Sequence, residues 1–236
     1  MKLFAAVLLI ALALTGCNEV PGTPAPDGAV HELEHQHLVL PDVRLDGDTS
    51  VESALFERRS VRAYTGESLY LNEVAQLLWA AQGVTAGWGG RTAPSAGALY
   101  PLELYLVAGD VEGLDAGVYR YVPGDHRLEM ILSGDVRTEL STVSLGQSSV
   151  SDGAAVFVFS GVYERTRSRY GDRAERYVHM EVGHAAQNLC LQAVALDLGS
   201  VVVGAFNDGD LKALLMMPER EAPLYVVPVG RVDSGS

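Results

Sequence analysis

The sequence has few cysteines and few basic residues. Only Cys17 and Cys190 occur among 236 residues, so the chain offers neither a disulfide framework nor a thiolate metal site. Its 17 lysines and arginines are outnumbered by 30 acidic residues, which gives a formal net charge of -13. Such an acidic chain repels the phosphates of nucleic acids and anionic lipid surfaces. We therefore expect no nucleic-acid partner.

Several motifs that bind nucleotides or perform hydrolysis are also missing. The chain contains no G-x-G-x-x-G after a strand pattern, no Walker A sequence and no G-x-S-x-G nucleophile elbow. No constellation of side chains in the sequence can move electrons by itself. A redox function would therefore require a bound cofactor.

The longest apolar run lies at the N-terminus, from Leu3 to Leu14. It is shorter than the roughly 20 residues that a membrane-spanning helix needs, and it fits the apolar part of an export signal. The run ends at Leu14-Thr15-Gly16-Cys17, which resembles the bacterial lipobox, although an ordinary signal peptide with a chance cysteine is the alternative. We predict a lipoprotein signal peptide over residues 1–17. Lipidation of Cys17 would anchor the protein at the periplasmic or extracytoplasmic face of a bacterial cell envelope.

Residues 18–48 are rich in proline, glycine and acidic residues, and we predict a flexible tether with, at most, a docked segment. The segment His31-Glu32-Leu33-Glu34-His35 matches the HExxH pattern of zinc proteases. A zinc site needs the two histidines on a stable helix together with a third ligand. The proline-flanked context favours a solvated linker over adventitious metal binding or a protease, and we predict no metal site.

Residues 49–232 carry the patterns of one globular domain, followed by a tail at 233–236. Thr49 with Glu52 fits a capping box, and Gly199 fits the end of a long helix. Periodicity predicts helices over 49–59, 72–82, 173–198 and 210–215, and strands over 102–107, 117–122, 127–132, 154–159, 200–206 and 224–229. Because the two kinds of element do not alternate regularly, we predict an α+β fold with a mostly antiparallel central sheet flanked by helices.

Arg58-Arg59-Ser60-Val61-Arg62 is the first candidate site. Three guanidinium groups and a hydroxyl form a compact anion site, which is unusual in so acidic a chain. A solvated helix end, where basic residues interact favourably with the helix dipole, remains the alternative.

Two further candidates consist of small residues. Pro94-Ser95-Ala96-Gly97 indicates a tight loop whose backbone and hydroxyl can approach a flat ring, with a plain turn as the alternative. Gly204 and Ala205 follow the pattern of a buried strand. Arg231 lies at the end of the last predicted strand.

Taken in order, these segments resemble the nitroreductase-like flavoprotein superfamily. The resemblance is greatest to its SagB-type branch, which includes azoline dehydrogenases of peptide maturation. Arg169-Tyr170-Gly171-Asp172-Arg173 and Gly183-His184-Ala185-Ala186-Gln187-Asn188 are similar to the signature that surrounds the long central helix of this branch. The resemblance extends from about residue 50 to residue 232.

The resemblance implies a homodimeric, FMN-dependent oxidoreductase that transfers hydride between flavin N5 and a small or peptide-derived substrate. By resemblance, Arg58, Arg59, Ser60, Arg62 and Arg231 would hold the FMN phosphate. Pro94, Ser95, Ala96 and Gly97 would line the flavin ring or ribityl chain across the dimer interface, and Gly204 and Ala205 would lie at the N5/O4 edge.

The resemblance also implies a catalytic pair, Arg169 and Tyr170. Azoline dehydrogenases of this branch have a lysine where Arg169 stands, and arginine is always protonated and cannot act as a base. Tyr170 is expected either to exchange a proton or to be a packed aromatic. A catalytically inactive accessory or binding lipoprotein that keeps the fold is the alternative for the whole chain. His184 and Trp79 are expected in the core.

Overall fold

The computed structural model describes residues 37–233. Its helices are α1 Val51–Glu57, α2 Leu71–Gln82, α3 Arg137–Val143, α4 Ser148–Asp152, α5 Tyr163–Tyr170, α6 Ala174–Ala195 and α7 Asp208–Leu214. Its strands are β1 His37–Val39, β2 Leu69–Tyr70, β3 Leu102–Ala108, β4 Val111–Glu112, β5 Gly117–Val122, β6 Arg127–Ser133, β7 Ala155–Gly161, β8 Leu198–Ser200 and β9 Ala222–Arg231.

The described strands form one large antiparallel sheet and one small parallel pair. The large sheet has seven strands in the order β1-β6-β5-β3-β7-β9-β8, and β2 pairs with β4. All residues of β3 and β7 are buried because helices cover both faces of the sheet. The predicted α+β fold, with its antiparallel sheet and long helix, is confirmed.

Side chains of β3 alternate between two cores on opposite faces of the sheet. Leu104 and Leu106 pack with α2 and α6, whose apolar stripes form the larger core. Tyr105 and Val107 point to the other face, which α3, α4 and α7 cover. The helix α6 is thus packed against the sheet along most of its length, and it positions the residues discussed below.

Helix boundaries differ from the predictions where a competing hydrogen bond exists. Ser50, not Thr49, is the N-cap of α1, because its hydroxyl accepts from the Ser53 amide at 3.1 Å. The long helix ends at Ala195, and Gly199 belongs to β8, where it pairs with Gly230. Pairing with β9 therefore decides the conformation of residues 198–200, and the predicted C-cap glycine is wrong.

The end of the predicted tether is part of the domain. His37–Val39 pairs with β6 as the edge strand β1, and Leu40 is buried. Further on, the Arg44 backbone exchanges hydrogen bonds of 2.9 and 3.0 Å with the Gln76 side chain. The predicted boundary at residue 48 is therefore too late. The rest of the tether, the HExxH segment at 31–35 and residues 234–236 lie outside the described residues.

No helix within residues 37–233 is long and apolar enough to span a lipid bilayer. The prediction of a lipoprotein with a signal peptide and a membrane anchor is corrected on this finding, since nothing in the described residues supports it. Cys17, on which the anchor depended, lies outside those residues. The predicted location in the cell envelope is not tested and stays a prediction.

Candidate functional site

The arginine segment at residues 58–62 runs along the edge of the large sheet. Ser60 forms a parallel bridge with Ser200, the last residue of β8, and the Val61 amide donates to the Ser200 carbonyl at 2.9 Å. Nη1 of Arg59 donates to the carbonyls of Phe56 and Arg58 at 2.8 Å. Backbone pairing thus fixes this segment and leaves its side chains at the surface.

The positive charge of this segment is not neutralised locally. Arg58, Arg59 and Arg62 make no ion pair with a carboxylate anywhere in residues 37–233. Cys190 lies near Arg58, and burial raises the pKa of its thiol, while a hydrogen bond from Ser200 and the charge of Arg58 act in the opposite direction. The segment suits an anion, because its guanidinium groups are accessible and lack carboxylate partners.

Arg231 is engaged elsewhere. Its Nη2 lies 2.9 and 3.1 Å from the two carboxylate oxygens of Glu73, and its Nε donates to the Ser68 carbonyl at 3.0 Å. Its guanidinium also lies 5.1 Å from the centre of the Tyr70 ring. The side chain is therefore committed to the start of α2, so the observed contacts do not support the predicted role in phosphate binding.

The Pro94–Gly97 loop and the pair Arg169 and Tyr170 are brought together. Gly97 has a φ of 64°, and a Cβ at this position would lie 2.9 Å from the Tyr170 hydroxyl and 3.1 Å from Nη1 of Arg169. The positive φ favours glycine at this position, and a Cβ there would require the ends of the Tyr170 and Arg169 side chains to move. Two segments that were identified separately in the sequence thus form one surface.

Tyr170 is half-buried and Arg169 is exposed. The Tyr170 ring packs edge-on against Tyr177, with the centroids 5.0 Å apart, and the Arg169 guanidinium lies 5.7 Å from its centre. Packing fixes the phenol ring while its hydroxyl stays at the loop surface. This arrangement is compatible with both expectations, a packed aromatic and a group that exchanges a proton.

A buried charged network lies behind this loop, and the sequence predictions missed it. Glu181 of α6 is only 3% exposed, and its burial raises the pKa of its carboxyl to about 7, against the opposing effects of a Ser95 hydrogen bond and the Arg91 charge. Burial also lowers the pKa of Arg91, whose Nη1 donates to Gln82 at 2.8 Å. Next to Arg91, Glu103 forms ion pairs with Arg120 and Arg165.

A sequence signal for Glu181 exists. It falls on the stripe of Val178, Val182 and Ala185, which are buried at helical spacing on α6. A carboxylate at a core position is rare unless it is paired, so its place on this stripe distinguishes it from the other acidic residues of the helix.

Gly204 and Ala205 are exposed, just after the bridge between Val203 and Val226. The Ala205 carbonyl accepts from the Gln147 amide at 3.0 Å. A Cβ at Gly204 would meet only Tyr225, at 3.7 Å, which is an ordinary contact. Packing within the chain therefore does not require glycine there, and the backbone is accessible from outside.

Two predicted core residues are placed differently. His184 is exposed on α6, so its assignment to the core is wrong, and Trp79 is only partly buried. Trp79 borders a groove of about 500 Å³ between residues 44–51, α2 and α6. Thr92, Asn188 and Gln192 also line this groove, and none of the predicted site residues does.

The comparisons with known proteins identify the family. Residues 55–231, most of the chain, match the model of the nitroreductase family. The chain belongs to the nitroreductase family. Members of this family are generally flavin-dependent oxidoreductases.

Three known proteins illustrate what this nitroreductase-family chain is similar to. It is 46% identical over 194 residues to a provisionally named nitroreductase, MJ1384, of Methanocaldococcus jannaschii, covering 82% of this chain and 96% of that one. It is 30% identical over 149 residues to the microcin B17-processing protein McbC of Escherichia coli, covering 61% of this chain and 55% of McbC. A Ralstonia eutropha crystal structure described as a nitroreductase superimposes with a TM-score of 0.73 and 29% identity, covering 84% of this chain and 90% of that one.

Proposed function

We propose that this protein is an FMN-dependent oxidoreductase of the SagB type. It would transfer hydride between the flavin and a small or peptide-derived substrate. The observation that carries the proposal is the accessible arginine segment at residues 58–62, which has no carboxylate partner in the described part of a strongly acidic, nitroreductase-family chain. A phosphate-bearing cofactor would supply the missing negative charge.

The residues present fit FMN at most of the predicted positions. Arg58, Arg62 and the Ser60 hydroxyl are available to a phosphate, and the φ of 64° at Gly97 gives a loop surface without a side chain, suited to a flat ring. The exposed backbone at Gly204 and Ala205 could provide amide donors, which favour negative charge on a reduced ring. Arg231 is the exception, because its guanidinium is bound to Glu73.

FMN, when bound, supplies the hydride chemistry, which the side chains of this chain cannot provide. The chain's own contribution at this surface would come from Tyr170 and Arg169. The Tyr170 hydroxyl, fixed beside Gly97, would hold or deliver a proton to the substrate. Arg169 would remain charged and orient an anionic or carbonyl group, since arginine does not act as a base.

A peptide-derived substrate is supported by similarity to McbC, which is named as a microcin-processing protein. McbC is covered over only 55% of its length, so this similarity supports a substrate class and no specific peptide. A homodimer is the proposed assembly, with the Pro94–Gly97 loop contributed to the partner's cofactor site.

The test is an FMN titration of purified protein, followed by absorbance and gel filtration. Wild type should retain about one flavin per chain. Arg58→Ala and Arg62→Ala should each weaken FMN binding at least roughly tenfold, because each removes charge-assisted hydrogen bonds to phosphate.

Arg220→Ala is the matched control, since Arg220 is an exposed arginine far along the chain from this segment. It should bind FMN as wild type does. A folded wild-type protein that stays colourless with excess FMN would contradict the proposal and favour an accessory protein that keeps the fold without the cofactor.

A further inference from the structure

Glu181 lies on the buried face of α6, behind the Pro94–Gly97 loop. It is 3% exposed, and its Oε1 has no hydrogen-bond partner within residues 37–233. A buried carboxyl group with an unsatisfied oxygen is unfavourable, and an apolar residue would fill the same space without this cost. Packing alone therefore does not account for a glutamate at this position.

A short chain of contacts connects Glu181 to the loop. Burial raises the pKa of the Glu181 carboxyl, and the adjacent Ser95 hydroxyl acts in the opposite direction. The same Ser95 Oγ accepts from the Tyr100 amide at 2.9 Å, which closes the loop from residue 95 to residue 100. Ser95 is thus held from both sides, by the helix behind it and by its own loop.

The charged groups around Glu181 hold the same segment. Arg91 acts on Glu181 electrostatically, and its guanidinium lies 4.6 Å from the centre of the Tyr100 ring. Arg165 donates to the Tyr100 carbonyl at 3.0 Å and pairs with Glu103. Tyr100 therefore has contacts on its amide, its ring and its carbonyl.

The loop needs such anchoring because its backbone is unfavourable by itself. Gly97, Ala98 and Tyr100 all have positive φ values, of 64°, 54° and 44°. Alanine and tyrosine seldom adopt this region, so the surrounding contacts must hold them there.

We infer that Glu181 is a positioning residue for the candidate site. Through Ser95 it fixes the 95–100 turn, and this turn places Gly97 against Tyr170 and Arg169. The inference rests on the proposed function in one respect, namely that the loop contacts flavin.

Amide hydrogen exchange of the flavin-free protein tests the anchor directly. Ser95→Ala removes the acceptor of the Tyr100 amide and is the positive control for faster exchange. Glu181→Leu should also accelerate exchange of this amide, by roughly tenfold, because it removes the group that keeps this acceptor in place. Glu181→Gln should leave the exchange near wild type, since its amide oxygen can still accept from Ser95. The order of FMN affinities should follow the same pattern, with Glu181→Gln close to wild type and the other two weaker.

Glu221→Leu is the matched control. Glu221 is also buried with an unsatisfied Oε1, but its other oxygen accepts from Tyr105 and Ser160, away from the loop. This variant should leave both Tyr100 exchange and FMN affinity unchanged. If Glu181→Leu does not fold, Glu181→Ala, which also removes the carboxyl beside Ser95, takes its place.

The two proposals fail differently. Unchanged Tyr100 exchange in folded Glu181→Leu would overturn the positioning role, whatever the FMN titration gives. Accelerated exchange in protein that never binds FMN would support the anchor and reject the flavin function.

Discussion

Glu181 binds a proton more tightly in the folded protein than in the unfolded chain, because burial raises its pKa from 4.5 to about 7. Between these two values the unfolded chain loses the proton first, so the free energy of unfolding should decrease as the pH rises. Below pH 4.5 the raised pKa contributes about 3 kcal/mol to the free energy of unfolding, and this contribution is lost once the pH exceeds the folded-state pKa. Urea denaturation of wild type and Glu181→Gln at pH 5 and pH 8 measures it. The variant should gain stability relative to wild type at pH 8.

An exposed acid provides the baseline for this comparison. The side chain of Glu219 is fully exposed, and Glu219→Gln removes a carboxylate without changing a buried one. If the difference in stability between wild type and Glu181→Gln is the same at both pH values, Glu181 titrates as an ordinary acid and the argument from burial fails.

Single residues were predictable from the sequence where the backbone itself sets the requirement. The small-residue loop around Gly97 was identified because glycine and proline mark tight turns. Arg231 was expected to bind phosphate, yet its partner Glu73 lies far away in the sequence, and no local pattern indicates that ion pair. Glu181 was missed although its place on the apolar stripe of α6 indicates burial, because no local pattern shows which groups its carboxyl meets in the fold.

At the scale of elements, the ion pair between Glu73 and Arg231 joins the start of α2 to the end of β9. Glu73 also accepts from the Tyr70 amide at 2.8 Å and so caps the helix. Both side chains are largely buried, with exposures of 13% and 21%, so removing either partner leaves the other unsatisfied. We expect Glu73→Ala and Arg231→Ala each to reduce the free energy of unfolding by about 1–3 kcal/mol.

The double variant shows whether the pair acts as a unit. Its loss of stability in urea denaturation should be smaller than the sum of the two single losses by about 1 kcal/mol or more. FMN titration of the same proteins tests the earlier prediction for Arg231. An Arg231→Ala protein that binds FMN far more weakly than Glu73→Ala would show that Arg231 contacts the cofactor, contrary to its observed contacts.

Elements with clear periodicity were predicted, and those without it were not. The strands β3, β5 and β6 and the helix α2 lie within one or two residues of their expected ranges. Helix α5, Tyr163–Tyr170, was missed because it is strongly polar and has only Thr166 buried. Strand β1 was assigned to the tether because its three residues acquire a partner only when β6 is in place.

At the scale of the whole molecule, the candidate groups lie at different positions along α6. Arg58 of the arginine segment lies near Cys190, whereas Ser95 of the Pro94–Gly97 loop lies near Glu181, nine residues earlier in the helix. At 1.5 Å per residue this separation is about 13 Å along the helix axis. In the proposed homodimer, the loop of one chain would complete the cofactor site at the arginine segment of the other. A two-fold axis can place these two different segments opposite each other, and it then forms two equivalent sites.

Mixing two defective chains tests such a shared site. Arg58→Ala/Arg62→Ala chains lack the arginines, and Gly97→Val chains lack the loop surface, so neither homodimer should bind FMN well. If each site takes its arginines from one chain and its loop from the other, every heterodimer contains one intact site and one with both defects. Random reassociation should then restore about a quarter of the wild-type flavin content, measured by absorbance after gel filtration. If all the cofactor contacts come from one chain, no heterodimer has an intact site, and the mixture should stay as colourless as its two components.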